Sequence, residues 1–316
     1  MKIAVIVATV LILAGAVLGV AVMAGNHWDF RLLDTADYET NIHEITADFS
    51  HISMNTDTAD IRFVPAEDGR CRVECIEDSK AKHTVSVEGD TLSVRVERNK
   101  KWYDYIGIHW QTPQVTVYLP KTVYATLTVD EDTGNVDLPK AFTFERVDLS
   151  LSTGRVALSA TVTGTAKIET STGDIRVKDT AVGKMDLSVS TGKVTVEQVT
   201  CTEDVHIEVS TGKTELTAVT CRHLSSEGDT GSITLTQVVA TGKFDIERST
   251  GRVKFDRSDA ASIEVETDTG DVTGSLLTDK VFITETDTGR VDVPHTTAGG
   301  RCEISTDTGD ITITIG

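Results

Sequence analysis

KMDLSVSTGKVTVE, residues 184–197, holds the pattern from which the fold follows. Met185, Leu187 and Val189 alternate with polar residues up to Ser190-Thr191-Gly192, and Val194 and Val196 resume the alternation beyond it. Alternation by two marks a strand with one buried face. The phrase returns as Val205, Ile207, Val209, Ser210-Thr211-Gly212 and Leu216. Ser/Asp-Thr-Gly occurs ten times, with glycines at Gly134, Gly154, Gly173, Gly192, Gly212, Gly231, Gly251, Gly270, Gly289 and Gly309, so every step is 19 or 20 residues. A fixed period of that size indicates a stacked repeat.

One copy reads as strand, tight turn, strand and a connection of about eight residues, often small or glycine-containing as at Gly164 and Gly183. The glycine tolerates positive φ, and the Asp or Ser two residues earlier is expected to accept hydrogen bonds from nearby backbone amides. Polar residues between the apolar ones, such as Glu264 and Glu266 or Thr195 and Glu197, then face solvent. A lone copy buries too little apolar surface to offset the entropy of ordering it. Stacking supplies ladder hydrogen bonds and one continuous core. The expected fold is all-β, an elongated β-solenoid (parallel β-helix-like) of 19–20 residues per coil, with coils about 4.8 Å apart. An antiparallel meander is the alternative, disfavoured because identical residues recur at identical phase and would form columns. The period leaves two or three faces per coil open.

The front of the chain is different. From Ile3 to Gly25 there is no charge, and about 20 apolar residues span a bilayer. Lys2 precedes the run and Asp29, Asp34, Asp37 and Glu39 follow it, which places the repeats outside the cytoplasm. A cleaved signal peptide ending near Val22-Met23-Ala24 competes, although the run exceeds an h-region of about 7–15 residues. The chain therefore divides into an anchor (1–26), a polar lead-in (27–45), a degenerate first coil with an N-terminal cap (46–126) and the regular repeats (127–316). Ile52, Met54, Ile61 and Phe63 reproduce the register around Thr58-Ala59, with alanine for glycine. The period is then lost for 75 residues, up to Gly134, although short strands persist at Cys71–Ile76, His83–Glu88, Leu92–Glu97 and Val115–Leu119.

The formal net charge of −19 over 316 residues argues against nucleic acid or an anionic lipid surface as partner. Five cysteines are too few for a disulfide framework. Cys71 and Cys75 share a strand face at about 13 Å, too far to bridge. Cys201 and Cys221 each lie nine residues after a repeat glycine, so stacking would bring them within disulfide range, or leave them as a reduced pair. Cys302 has a core phase. Trp102, Tyr103, Tyr105 and Trp110 make the one aromatic-dense segment; it either packs over the first coil or grips a partner or the membrane interface.

Gly89-Asp90-Thr91-Leu92, Val115-Thr116-Val117-Tyr118-Leu119-Pro120-Lys121 and repeats such as Ser171-Thr172-Gly173-Asp174-Ile175 resemble the putative-adhesin β-strand-repeat family, a domain of unknown function in bacterial membrane and surface proteins. The resemblance covers roughly residues 46–316. It implies a solenoid displayed outside the cell, and it carries over no catalytic residues.

Asp-Thr-Gly is also the signature of aspartic proteases, which need two such turns sharing a proton. Here aspartate alternates with serine at one phase (Ser152, Ser171, Ser190, Ser210, Ser249), as turn-making allows and proton-sharing does not. Asp268, Asp287 and Asp307 would form a carboxylate column suited to a weak calcium site, although the next column, Asp271, Arg290 and Asp310, offers its own compensation. A calcium-dependent polysaccharide enzyme would need one irregular coil where acid and base converge, and the repeats contain none. His206 and His223 differ in phase. The expected protein is a non-enzymatic, single-pass, extracytoplasmic solenoid without a cofactor, contacting a cell-envelope protein or glycan; an envelope scaffold or sensor acting through anchor and aromatic cap is the alternative. Ile311, Ile313 and Ile315 carry the core phase to Gly316, so the tail is expected to be an open edge that self-associates.

Overall fold

The computed structural model describes residues 2–25, 37–97, 111–120 and 123–316. Helix α1 spans Lys2–Gly25; its stretch Val7–Gly25, of mean hydropathy 2.6, is long and apolar enough to cross a membrane. The other elements are strands.

From the Gly154 coil onward, like positions pair in parallel: Leu149 with Ile168 and Gly154 with Gly173, Leu187 with Ile207 and Gly192 with Gly212. The fold is a β-solenoid, and the antiparallel alternative is excluded. One apolar interior runs from Ile52 to Ile313. It is thin and aliphatic, with rings such as Phe244 and Phe255 stacked at 6.3 Å where a coil has room.

The Thr-Gly corner differs from expectation. The strand runs straight through it, to the extent that Thr161–Cys201 is one strand of 41 residues. The corner is a bend in a parallel ladder and no hairpin, because the coils on either side hold its backbone. Glycine is demanded by close approach: at Gly192, with φ 150°, a Cβ would lie 1.7 Å from the Gly173 carbonyl oxygen. A second corner follows six residues later, where Asp179, Gln198, Ala218 and Gln237 hold φ of 53–54° and Arg257 46°. Each of these coils thus has three ladder runs, as in Met185–Val189, Thr191–Glu197 and Val199–Thr200.

Both ends depart from sequence order. The N-terminal strands are β1 (Tyr38–Ile45), β2 (His51–Thr58), β3 (Asp60–Pro65), β4 (Cys71–Asp78), β5 (His83–Glu88), β6 (Thr91–Val96), β7 (Gln114–Leu119), β8 (Val123–Thr133) and β9 (Val136–Leu138). The coil of β2 and β3 lies against β8 and β9. Its other side pairs in parallel with β6 and β7. The degenerate coil is therefore the second layer, and the chain between β3 and β8 builds a layer outside it. There β5 runs antiparallel to β6, and β4 antiparallel to β7 and β1. Antiparallel strands turn the ladder aside and close that end.

At the other end the last two coils are exchanged. Ile263 pairs with Cys302 and Thr269 with Thr308, while Thr288 pairs with Thr308 from the opposite side. The order in space is Gly270, Gly309, Gly289. The expected open edge at the tail is thus corrected for its first two residues: Ile311–Ile315 pairs with Val272–Leu276 on one side, and Ile311 and Thr312 pair with Val291 and Asp292 on the other. The physical reason is composition. The tail strand has isoleucine at every core position and no charge, whereas its counterpart in the outer coil, Val291–Asp292, is short and charged, as suits an edge. Thr296 on the following loop donates its hydroxyl to the Lys280 carbonyl.

Candidate functional site

At the Thr-Gly corner the aspartates Asp268, Asp287 and Asp307 are exposed. The exchanged coils set Asp307 between Asp268 and Asp287, so these two are separated by two layers, roughly 9.6 Å. The three do not gather within reach of one ion; among the described residues, only Cys75, Glu77 and His83 make such a group. The residue after the glycine staples neighbouring coils. Asp60 Oδ1 accepts from the Asn135 amide at 3.0 Å and Asn135 Oδ1 from that of Arg155 at 3.1 Å. Asp271 Oδ1 accepts from Asp310 at 3.1 Å, and Asp310 Oδ1 from Arg290 at 2.8 Å.

Cys201 and Cys221 follow the paired Thr200 and Thr220 on neighbouring coils. Both thiols are free and buried in this structure. Cys201 Sγ donates to the Gly183 carbonyl at 3.1 Å. Burial pushes the Cys221 thiol up to about 12, which keeps it protonated and inert.

Three residues before the glycine, the inward position tolerates polar groups because it lines the corner. Glu131 is buried there, with Oε1 accepting from the Ala59 amide at 3.0 Å. Its Oε2 and Thr56 Oγ1, on register partners, are buried without a hydrogen-bond partner. Burial raises the Glu131 carboxyl to about 8. Arg248 has the same phase, its buried guanidinium donating to Ser226 Oγ at 2.7 Å and to the Ser226 carbonyl at 3.0 Å. At its register partner Gly228 a Cβ would lie 2.6 Å from the Val209 carbonyl oxygen and 3.2 Å from Arg248 Nη1.

One position further out, glutamates stack. Glu208 pairs with Glu227, Glu227 with Glu247 and Glu247 with Glu266. All four are exposed and successive carboxylates stand about 4.8 Å apart. The neighbouring face differs, because cations interleave there: Lys193 meets Glu215 at 2.7 Å and Arg176 meets Glu197 at 3.0 Å.

The N-terminal cap holds the densest chemistry. Alternation along β4 turns Cys75 and Glu77 inward, and His83 opens β5. Glu77 Oε2 accepts from the His83 backbone amide and meets His83 Nδ1, both at 2.6 Å. Glu77 Oε1 accepts from Asn41 Nδ2 at 2.7 Å. His83 Nε2 is buried without a partner. Cys75 is fully buried, which pushes its thiol up to about 12. His83 also lines a cavity of about 260 Å³ with Tyr38, Asp57, Asp78 and Gln111. Sequence reasoning missed this cluster; the signal was a carboxylate, Glu77, at an inward phase, where it needs a partner. Trp102, Tyr103, Tyr105 and Trp110 lie outside the described residues.

The family model described as Toastrack DUF4097 matches residues 49–215 and 200–316. The chain belongs to the Toastrack DUF4097 family. No curated protein matches it. A putative adhesin from Parabacteroides merdae shares the fold at TM-score 0.53 and 14% identity, over 76% of this chain and 97% of that one. A putative adhesin from Parabacteroides distasonis matches at TM-score 0.47 and 13% identity, over 86% and 98%. A putative lipid binding protein from the same organism matches at 0.48 and 14%, over 88% and 98%. The Toastrack assignment agrees with the resemblance read from the sequence.

Proposed function

We propose that this Toastrack chain is a non-enzymatic, membrane-anchored surface protein whose solenoid binds a partner through its glutamate column. The observation that carries the reading is the run Glu208, Glu227, Glu247, Glu266 on four successive coils. Like charges stacked in a ladder oppose folding, and a fold that retains them gains when a cationic surface covers them. The solved structures named as adhesins are consistent with a display role. α1 precedes β1 in the chain, and β1 belongs to the capped end, so the solenoid would extend away from the membrane and leave the Lys280–Thr288 edge distal. Val281 and Ile283 are exposed on that edge, where a second copy would add its strand.

The test is capture of basic envelope proteins by the full chain in detergent. The variant carrying Glu208→Gln, Glu227→Gln, Glu247→Gln and Glu266→Gln should lose capture, and wild-type capture should weaken with salt. Undiminished capture by the quadruple variant would refute the proposal. A deletion of Trp102–Trp110 that abolishes capture while the quadruple variant retains it would favour the scaffold reading, in which the aromatic cap makes the contact.

A further inference from the structure

We infer that Cys75, Glu77 and His83 form a zinc site that locks the N-terminal cap. The cysteine sulfur, an imidazole nitrogen and a carboxylate oxygen lie within 4.8 Å of one another, and all three residues are buried. They come from two strands, β4 and β5, that no ladder pairing joins directly. One sulfur, one nitrogen and one oxygen donor suit zinc, and are too soft a set for calcium or magnesium, which take oxygen ligands.

The carboxylate and the imidazole already face each other, with Glu77 Oε2 2.6 Å from His83 Nδ1, so an ion beside Cys75 Sγ would be held by Nδ1 and that oxygen once the two part by a few tenths of an ångström, leaving Nε2 to carry the ring proton. A carboxylate-oriented histidine next to a thiol also suggests a nucleophile, but Cys75 has no exposed surface and no substrate reaches it. An ion and a water are small enough to pass through the cavity of about 260 Å³ that His83 lines. Three protein donors leave a fourth position for that water. Binding is a proton exchange without redox change: the Cys75 thiol and Zn²⁺ give zinc thiolate and one proton released to solvent. The ion would tie β5, the outermost hairpin strand, to β4, which holds β1 and β7 together.

The test uses the full chain in detergent, reduced and stripped of metal, titrated with Co²⁺ and then Zn²⁺. One equivalent should bind with a thiolate-to-cobalt absorption band, and zinc should displace it. Cys75→Ser and His83→Gln should each weaken binding by more than about tenfold, whereas Cys71→Ser, Cys201→Ser and Cys221→Ser should leave it intact. Circular dichroism checks that the variants fold. Independently of them, zinc should slow amide exchange in wild-type β4 and β5 and leave the Thr161–Cys201 coils unchanged. Absence of binding, binding indifferent to both variants, or no zinc effect on β4 and β5 exchange would each overturn the inference.

Discussion

Gly192 has two constraints at once: φ of 150° and a carbonyl oxygen 1.7 Å from where its Cβ would be. Gly192→Ala should therefore destabilise the chain by about 3–4 kcal/mol, read by thermal or denaturant unfolding, while Ser190→Asp two residues earlier should change it by less than about 0.5 kcal/mol. The Thr-Gly repeat made this column legible from sequence. The corner six residues later was not, because Asp179, Gln198, Ala218, Gln237 and Arg257 share no side-chain chemistry; their left-handed φ is imposed by the coils above and below. Glu131 gives a second test. The folded carboxyl holds its proton up to about pH 8 against an ordinary 4.5, so its contribution is complete below pH 4.5 and lost as pH rises to about 8, at up to roughly 1.4 kcal/mol per pH unit. Glu131→Gln should flatten the stability profile over that window and raise stability at pH 8. A profile unchanged by the substitution would show that the carboxyl is not protonated in the fold.

At the scale of the strand, the glutamate column stacks like charges on successive coils, which opposes folding. Glu227→Gln with Glu247→Gln should stabilise by about 0.5–1 kcal/mol, most clearly at low salt, and a destabilised double variant would contradict the like-charge account. The inward and outward alternation that places these glutamates was readable from KMDLSVSTGKVTVE and its relatives, and so was the core phase of Ile311, Ile313 and Ile315. Their neighbours were not. Ile313 is 2% exposed and its strand pairs with Val272–Leu276, so Ile313→Lys should unfold the C-terminal coils, whereas Ile283→Lys on the outer strand should be tolerated. Amide exchange should likewise be slower at Ile311 and Thr312, which have a strand on each side, than at Val281–Thr286, the reverse of what an open tail gives.

Across the whole molecule, period and layer order are separate pieces of information. A parallel ladder in register is satisfied whether successive copies stack in chain order or the last two exchange, since the same residues meet at the same phase. The ten glycines therefore specified a solenoid and its coil length, but not that β2 and β3 lie inside β6 and β7, nor that the Gly309 coil lies inside the Gly289 coil. The cap cluster was hidden for the same reason: Cys75 and His83 meet only because the chain doubles back where the period is lost. Layer order can be read by cross-linking at exposed corner threonines, with adjacent layers about 4.8 Å apart and alternate layers at about twice that, beyond disulfide reach. On oxidation, followed by peptide mass spectrometry, Thr269→Cys with Thr308→Cys should form an intrachain disulfide, and Thr269→Cys with Thr288→Cys should not. A disulfide between positions 269 and 288 but none between 269 and 308 would contradict the exchanged stack.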